Sequence, residues 1–380
     1  MTSWPTVPLR EVLRLDLHKE SVSSSKTYEM VGVLSYGRGL FRRPAVQDGK
    51  TSYAYMLRLK AEHIVLSQLF GWEGALALSS KEFEGSYLSP NFPTFIVDEG
   101  RLNREFLGWV MRRPSFWADL ASRAKGMGDR RRTLNAEAFF QSVISLPSLS
   151  EQLDIVSKLD ALSLKVAQLD SKLSSIEADV DRLAVLRFQD ALIGAEYRPM
   201  EVVAPVERRS VTLDMASKYR EVGARSFGKG LFAKPDFIAS DATWEKPFWI
   251  EAGDIVFSNI KAWEGAIALA GAEHDRSIAS HRYITCVPGR ELVGAFLLYY
   301  LLSEDGLEKV GDISSGTADR NRTLSLKKLA RLEVPVPSLE IQNGFVALLG
   351  VIASLKGKHV AIRKSSSELV PAMLEDLLGR

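Results

Sequence analysis

The feature that most constrains this 380-residue chain is an internal duplication. Tyr28 to Phe41 reads YEMVGVLSYGRGLF and Tyr219 to Phe232 reads YREVGARSFGKGLF, identical at eight of fourteen positions with an offset of 191. WEGALAL at Trp72 to Leu78 returns at the same offset as WEGAIAL at Trp263 to Leu269. GDRRRTL at Gly128 to Leu134 and LPSLSEQ at Leu146 to Gln152 return 190 residues later as ADRNRTL and VPSLEIQ. Such a period far exceeds the roughly 20–50 residues of solenoid and propeller repeats, so each unit is a whole domain plus an appended segment. Between the matched blocks the copies diverge: RRPAVQDGKTSYAYMLRLKAE follows Phe41, and AKPDFIASDATWEKPFWIEAG follows Phe232. The frame is shared and the inserts differ.

Within each copy, short alternating runs such as His63 to Leu69 and Asp254 to Ile260 are bounded by turn residues and predict strands. An amphipathic stretch follows, Leu102 to Leu120 and Leu292 to Val310, which predicts helix. Each domain is therefore mixed α and β. Beyond Pro147 the period changes. Leu159, Leu162, Val166, Leu169, Leu173, Ile176, Val180 and Leu183 alternate by three and four, a coiled-coil seam extended upstream by Leu153 and Val156. A continuous helix from Leu149 to Ala195 would be about 70 Å long, enough to hold domains apart. Ile341, Phe345, Leu348, Ile352, Leu355, Ile362, Leu369 and Met373 repeat the pattern, with His359 and Ser366 on seam positions and Pro371 expected to kink or end the helix. Pairing of the two helices is expected. The fold class is thus α/β (mixed α+β) domains in tandem duplication, at about 1–148 and 196–336, separated by long antiparallel coiled-coil helices at 149–195 and 337–380.

Composition narrows the function. A formal charge of +2 requires any nucleic-acid-binding charge to be local or shared with a partner. One cysteine, Cys286, and five scattered histidines suggest neither disulfide nor metal, and no run reads as a leader or a bilayer span, so a reducing cytoplasm is the expected setting. Gly223 to Gly230, GARSFGKG, fits a phosphate-binding loop until its last position, where glycine stands in place of Ser or Thr; no cofactor is expected. The chain has no Asn- or Asp-Pro-Pro-aromatic methyltransferase motif, no nucleophile elbow and no His-Glu-x-x-His helix, so no catalytic residue is assigned.

The order of these motifs resembles the specificity subunits of type I restriction-modification enzymes, over nearly the whole chain. Those subunits are similar in carrying two target-recognition domains, each followed by a helical region opening on a Pro- and Glu-Gln-containing signature. Here that signature is Leu146-Pro147-Ser148-Leu149-Ser150-Glu151-Gln152. In its second occurrence Ile341 replaces Glu151. The resemblance also covers SNIKAWEGA at Ser258 to Ala266, whose first-copy counterpart SQLFGWEGA has Phe70 in place of Lys261. It implies that each domain reads one half of an asymmetric bipartite site in double-stranded DNA, that the helices set the spacing, and that two methylation subunits and motor-nuclease subunits assemble on a non-catalytic scaffold. A structural coiled-coil protein with protein-binding globular domains is the alternative.

Candidate DNA contacts are the local cations and the divergent polar positions. Arg38, Arg42 and Arg43 surround a Gly-containing turn, answered by Lys229 and Lys234. The glycines at 37, 39, 228 and 230 permit positive φ and close backbone approach, either to DNA or within a tight hairpin whose charges are merely solvated. Arg130, Arg131 and Arg132 are the densest basic run, answered by Arg320 and Arg322. Gln68 against Asn259, and Phe70 against Lys261, are where base readers would differ between copies. Trp72 and Trp263 read as core anchors of the shared frame.

Overall fold

The computed structural model describes residues 4–47, 50–126, 132–214, 216–235, 237–239, 247–316 and 322–379. The chain forms two compact units, Met1–Leu173 with Val360–Arg380, and Ser174–His359. Each unit therefore takes the start of one long helix and the end of the other.

The first unit is built on an antiparallel sheet in the order Leu13–Leu15, Thr94–Val97, Ile64–Leu66, Leu76–Leu78. Ile64, Leu66, Leu76 and Phe95 from these strands bury against Phe106, Leu107, Leu120 and Phe139 of the helices. A second sheet orders Lys19–Ser21, Tyr55–Arg58 and Tyr87–Leu88, and the hairpin Val31–Val33 with Leu40–Arg42 stands beside it. The second unit repeats the plan. Ile267–Leu269, Ile255–Ser258 and Tyr283–Cys286 form its central sheet, Arg209–Ser210, Phe248–Ile250 and Ser277–Ala279 the other, and Val222–Ala224 with Leu231–Ala233 the hairpin. Burial in this sheet pushes the Cys286 thiol up to about 12.

The stretch predicted as one helix in each copy is two. Arg104–Val110 and Pro114–Arg123 are separated at Arg113, which is extended because the proline ring clashes with a helical predecessor. Gly294–Leu301 and Glu304–Asp312 are separated where Ser303 caps the second helix through the Gly306 amide.

The long helices run Leu149–Leu192, about 66 Å at 1.5 Å per residue, and Leu339–Leu378. They pair antiparallel in both units. Arg363 Nε meets Asp170 Oδ1 at 2.7 Å in the first unit; in the second, Lys356 Nζ meets Asp181 Oδ1 at 2.6 Å and His359 Nδ1 meets Glu177 Oε1 at 3.0 Å. His359, 4% exposed, occupies its expected seam position. The seam itself departs from a strict heptad. Leu153, Ile176 and Leu183 are exposed, and past Leu173 the inward positions become Glu177, Val180, Ala184, Phe188 and Ala191. A straight helix drifts by about 20° per heptad against a 3.5-residue repeat, so the buried stripe advances by a residue. On the second helix Ile362 and Leu369 are exposed for the same reason, with Arg363 and Val370 turned further in.

Pro371, expected to kink or end the second long helix, lies inside it and does not end it. The missing amide and the ring clash are offset by packing of Val370, Met373, Leu374, Leu377 and Leu378 onto the first unit's core. The same helix also holds an 18-residue window of mean hydropathy 1.6 and so is long and apolar enough to cross a bilayer by length and composition, although no unbroken apolar run of that length occurs in it. Its ion pair to Asp181 and its buried Phe345 show it packed against protein.

A candidate nucleic-acid interface built twice

The conserved blocks of each copy meet in space. The hairpin tip of the first copy, residues 34–39, folds back onto the Gly71–Glu73 turn: the Tyr36 amide donates to the Glu73 carbonyl at 2.9 Å and the Gly37 amide to the Gly74 carbonyl at 2.9 Å. Ser35 Oγ donates to Glu73 Oε2 at 3.1 Å. In the second copy the Phe227 amide donates to Glu264 at 2.8 Å, Gly228 to Gly265 at 2.9 Å, and Ser226 Oγ to Glu264 Oε2 at 2.9 Å. The shared Ser-aromatic-Gly and Trp-Glu-Gly motifs are thus two halves of one device.

Docking holds each tip aromatic in the left-handed region, Tyr36 at φ 64° and Phe227 at φ 61°, and leaves both exposed, Phe227 at 75%. Non-glycine residues sit there at a cost of about 1–2 kcal/mol, sustained by the surrounding hydrogen bonds. Gly37 and Gly228 are needed for positive φ and for contact inward: a Cβ would lie 2.9 Å from Arg112 Cγ and from Leu302 Cδ1, respectively. Their close approach is to the protein's own helix ends.

The third block completes the cluster. The Leu134 amide donates to the Gln68 carbonyl and the Leu324 amide to the Asn259 carbonyl, both at 2.8 Å. This pairing brings Arg132 to 5.6 Å from the Trp72 ring centre and Arg322 to 5.1 Å from that of Trp263. Each indole donates Nε1 to a nearby backbone carbonyl, of Leu69 or Ile260. The tryptophans are half-buried, each carrying an arginine on its ring face, and are not the core anchors expected. Each copy therefore presents an exposed tip aromatic, a tip cation (Arg38 or Lys229) and an arginine-covered indole on one framework.

The other candidates are placed as follows. Arg38 is exposed and donates Nε to the Ser35 carbonyl at 2.9 Å, and Lys229 lies 5.8 Å from the Phe227 ring. Arg42 donates to the Glu82 carbonyl at 3.1 Å; Arg43 is exposed. Lys234 is held by Glu221, which gives it a structural tie. Lys261 pairs with Glu264 at 2.9 Å and, with Ser226, holds that carboxyl below its ordinary range. Gln68 and Asn259 are half-buried beside the indole turns, and Phe70 is 51% exposed. Arg130, Arg131 and Arg320 lie outside the described residues.

Two features escaped the sequence. Gln152 and Gln342, both 0% exposed, latch each long helix to its domain. Gln152 donates Nε2 to the carbonyls of Pro147 (2.8 Å) and Arg101 (3.0 Å) and accepts the Asn103 amide at 2.7 Å. Gln342 repeats this with Pro337 (2.7 Å), Glu291 (2.9 Å) and Val293 (2.7 Å). The paired signature residue Glu151 makes a capping box with Ser148, at 2.9 Å from its amide, which Ile341 cannot reproduce. The second feature is the convergence of Asp16, His18 and His63, which are scattered in sequence.

No protein-family model matches the chain, and no curated protein does. Solved structures do. The HsdS subunit from Thermoanaerobacter tengcongensis aligns over 99% of this chain and 96% of its own, at 17% identity and a TM-score of 0.59. A chain from a structure of the type I R-M system, determined for its complex assembly and conformational transition, aligns over 100% of this chain and 98% of its own, at 16% identity and a TM-score of 0.70. The chain thus shares its fold, over nearly its full length, with an HsdS subunit and with a chain of a type I R-M system.

Proposed function

We propose that this chain is the DNA-specificity subunit of a type I restriction-modification complex, a non-catalytic reader of an asymmetric bipartite site. Target-recognition domains span about 1–148 and 196–336, and spacer helices about 149–195 and 337–380. The observation that carries this reading is the twice-built cluster: one framework, repeated contact for contact, presents cations and aromatics while the chain around it differs between copies. Arginine and lysine suit phosphate and guanine, aromatics suit sugar and base faces, and different surroundings suit two different half-sites. Exposed apolar residues along the long helices, among them Val351, Leu164 and Leu186, offer surface for the two methylation subunits, with motor-nuclease subunits joining for restriction.

The test is to express the chain with the methylation subunit encoded beside it and map methylated adenines in host DNA with and without it. A bipartite, asymmetric motif that depends on this chain is expected. A stable complex without methylation, or no complex, would favour the coiled-coil scaffold instead.

A further inference from the structure

Strand Leu13–Leu15 leads into Asp16 and His18, and His63 stands just before strand Ile64–Leu66. His18 Nε2 lies 3.0 Å and His63 Nε2 2.9 Å from the same oxygen, Asp16 Oδ2, and one potential ligand atom from each residue falls within 4.8 Å of the others. His63 is 7% exposed, and its other ring nitrogen, Nδ1, is 3.0 Å from the Ala61 carbonyl oxygen. A carbonyl only accepts. In a neutral ring, Nδ1 therefore carries the proton and the Nε2 lone pair faces a carboxylate oxygen, acceptor against acceptor. Such a contact calls for positive charge between the two atoms.

The second copy shows what the same framework accommodates there. Glu207, Arg209 and Asp254 stand 191 residues after Asp16, His18 and His63. The Arg209 guanidinium donates to Asp254 at 2.7 and 3.2 Å and lies 3.2 Å from Glu207. The surroundings repeat as well, since Thr94 Oγ1 donates to the Asp16 carbonyl as Thr285 Oγ1 does to that of Glu207. One copy carries a built-in cation; the other has a carboxylate and two imidazoles in its place.

We propose that Asp16, His18 and His63 bind one divalent transition-metal ion of the zinc type. Two imidazole nitrogens and a carboxylate oxygen are a three-ligand set for tetrahedral zinc, with solvent in the fourth position. The Asp16 and His18 side chains are about one-third exposed, so an ion can enter, while buried His63 closes the core side. The Ala61 carbonyl is the outer contact that selects Nε2 as the ligating nitrogen. Bonds of about 2.0–2.1 Å in a tetrahedral shell require each imidazole nitrogen to part from Asp16 Oδ2 by only a few tenths of an ångström. Magnesium and calcium, which favour all-oxygen shells, are poor fits. The ion's role is structural: it ties the two sheets of the first domain where Arg209 ties those of the second.

The full chain, stripped with chelator and dialysed, would be titrated with Zn²⁺ against a chromophoric competitor while thermal unfolding is followed. One tight equivalent and a raised first transition are expected. His18→Ala should weaken binding at least tenfold. The combined change Asp16→Glu, His18→Arg and His63→Asp copies the second domain's ion pairs, so it should fold without metal and lose the tight equivalent. A wild-type chain without a tight equivalent, or undiminished binding in either variant, would overturn the site.

Discussion

Gln152 makes three hydrogen bonds with one fully buried side chain, and Gln342 makes the same three in the other unit. Gln152→Ala would leave the Asn103 amide and two carbonyls without these bonds, which costs about 1–3 kcal/mol for each strongly desolvated group. Its expected effect is a lower thermal midpoint of the first unit alone, and that of Gln342→Ala is the reverse; calorimetry of the full chain separates the two. Arg132 and Arg322 sit over indoles, aimed by the shared Thr-Leu backbone. Replacing either with alanine is expected to weaken DNA binding by the assembled complex and reduce the slope of log affinity against log salt by about 1, measured by titration at several salt concentrations. An unchanged slope would remove that arginine from the phosphate contacts. Gln152 was visible in the sequence as a repeated letter, but nothing in its spacing revealed the Arg101 carbonyl and Asn103 amide it would meet, because those two partners lie about fifty residues away.

The long helices were legible as elements because an alternation of three and four over many residues has few other readings. Their details were not. The inward face moves from Leu173 to Glu177 and Ala184, a consequence of the mismatch between 3.5 and 3.6 residues per turn that a list of apolar residues conceals. Pro371 likewise reads in sequence as a kink or an end, yet the anchoring of Leu374 and Leu378 in the first unit's core carries the helix past it. Pro371→Ala is therefore expected to stabilise that unit, by up to about 3 kcal/mol, and to raise its thermal midpoint. A lower midpoint would show that local distortion at the proline is required for packing. The split of each short helical stretch into two was signalled locally, by Arg113-Pro114 and by Ser303, and was obscured by an apolar period that continues across both breaks.

At the scale of the whole molecule, the helix Leu149–Leu192 leads from the first domain to the second. On the proposed function, deleting one heptad from each long helix removes about 10 Å of rise and should shorten the spacer of the methylated motif without altering either half; mapping methylated adenines checks it. An unchanged spacer would end the ruler interpretation. The sequence by itself determined the duplication, the mixed α/β character of each copy, the two long helices and the identity of the repeated blocks, because these follow from periodicity and self-similarity along one chain. Only the tertiary structure decided that the Ser-aromatic-Gly tip locks onto the Trp-Glu-Gly turn, that Arg132 and Arg322 cover the tryptophans, and that Asp16, His18 and His63 meet. Those contacts join residues tens of positions apart across strand pairings and turns. Their geometry depends on register and backbone conformation, which no local pattern encodes.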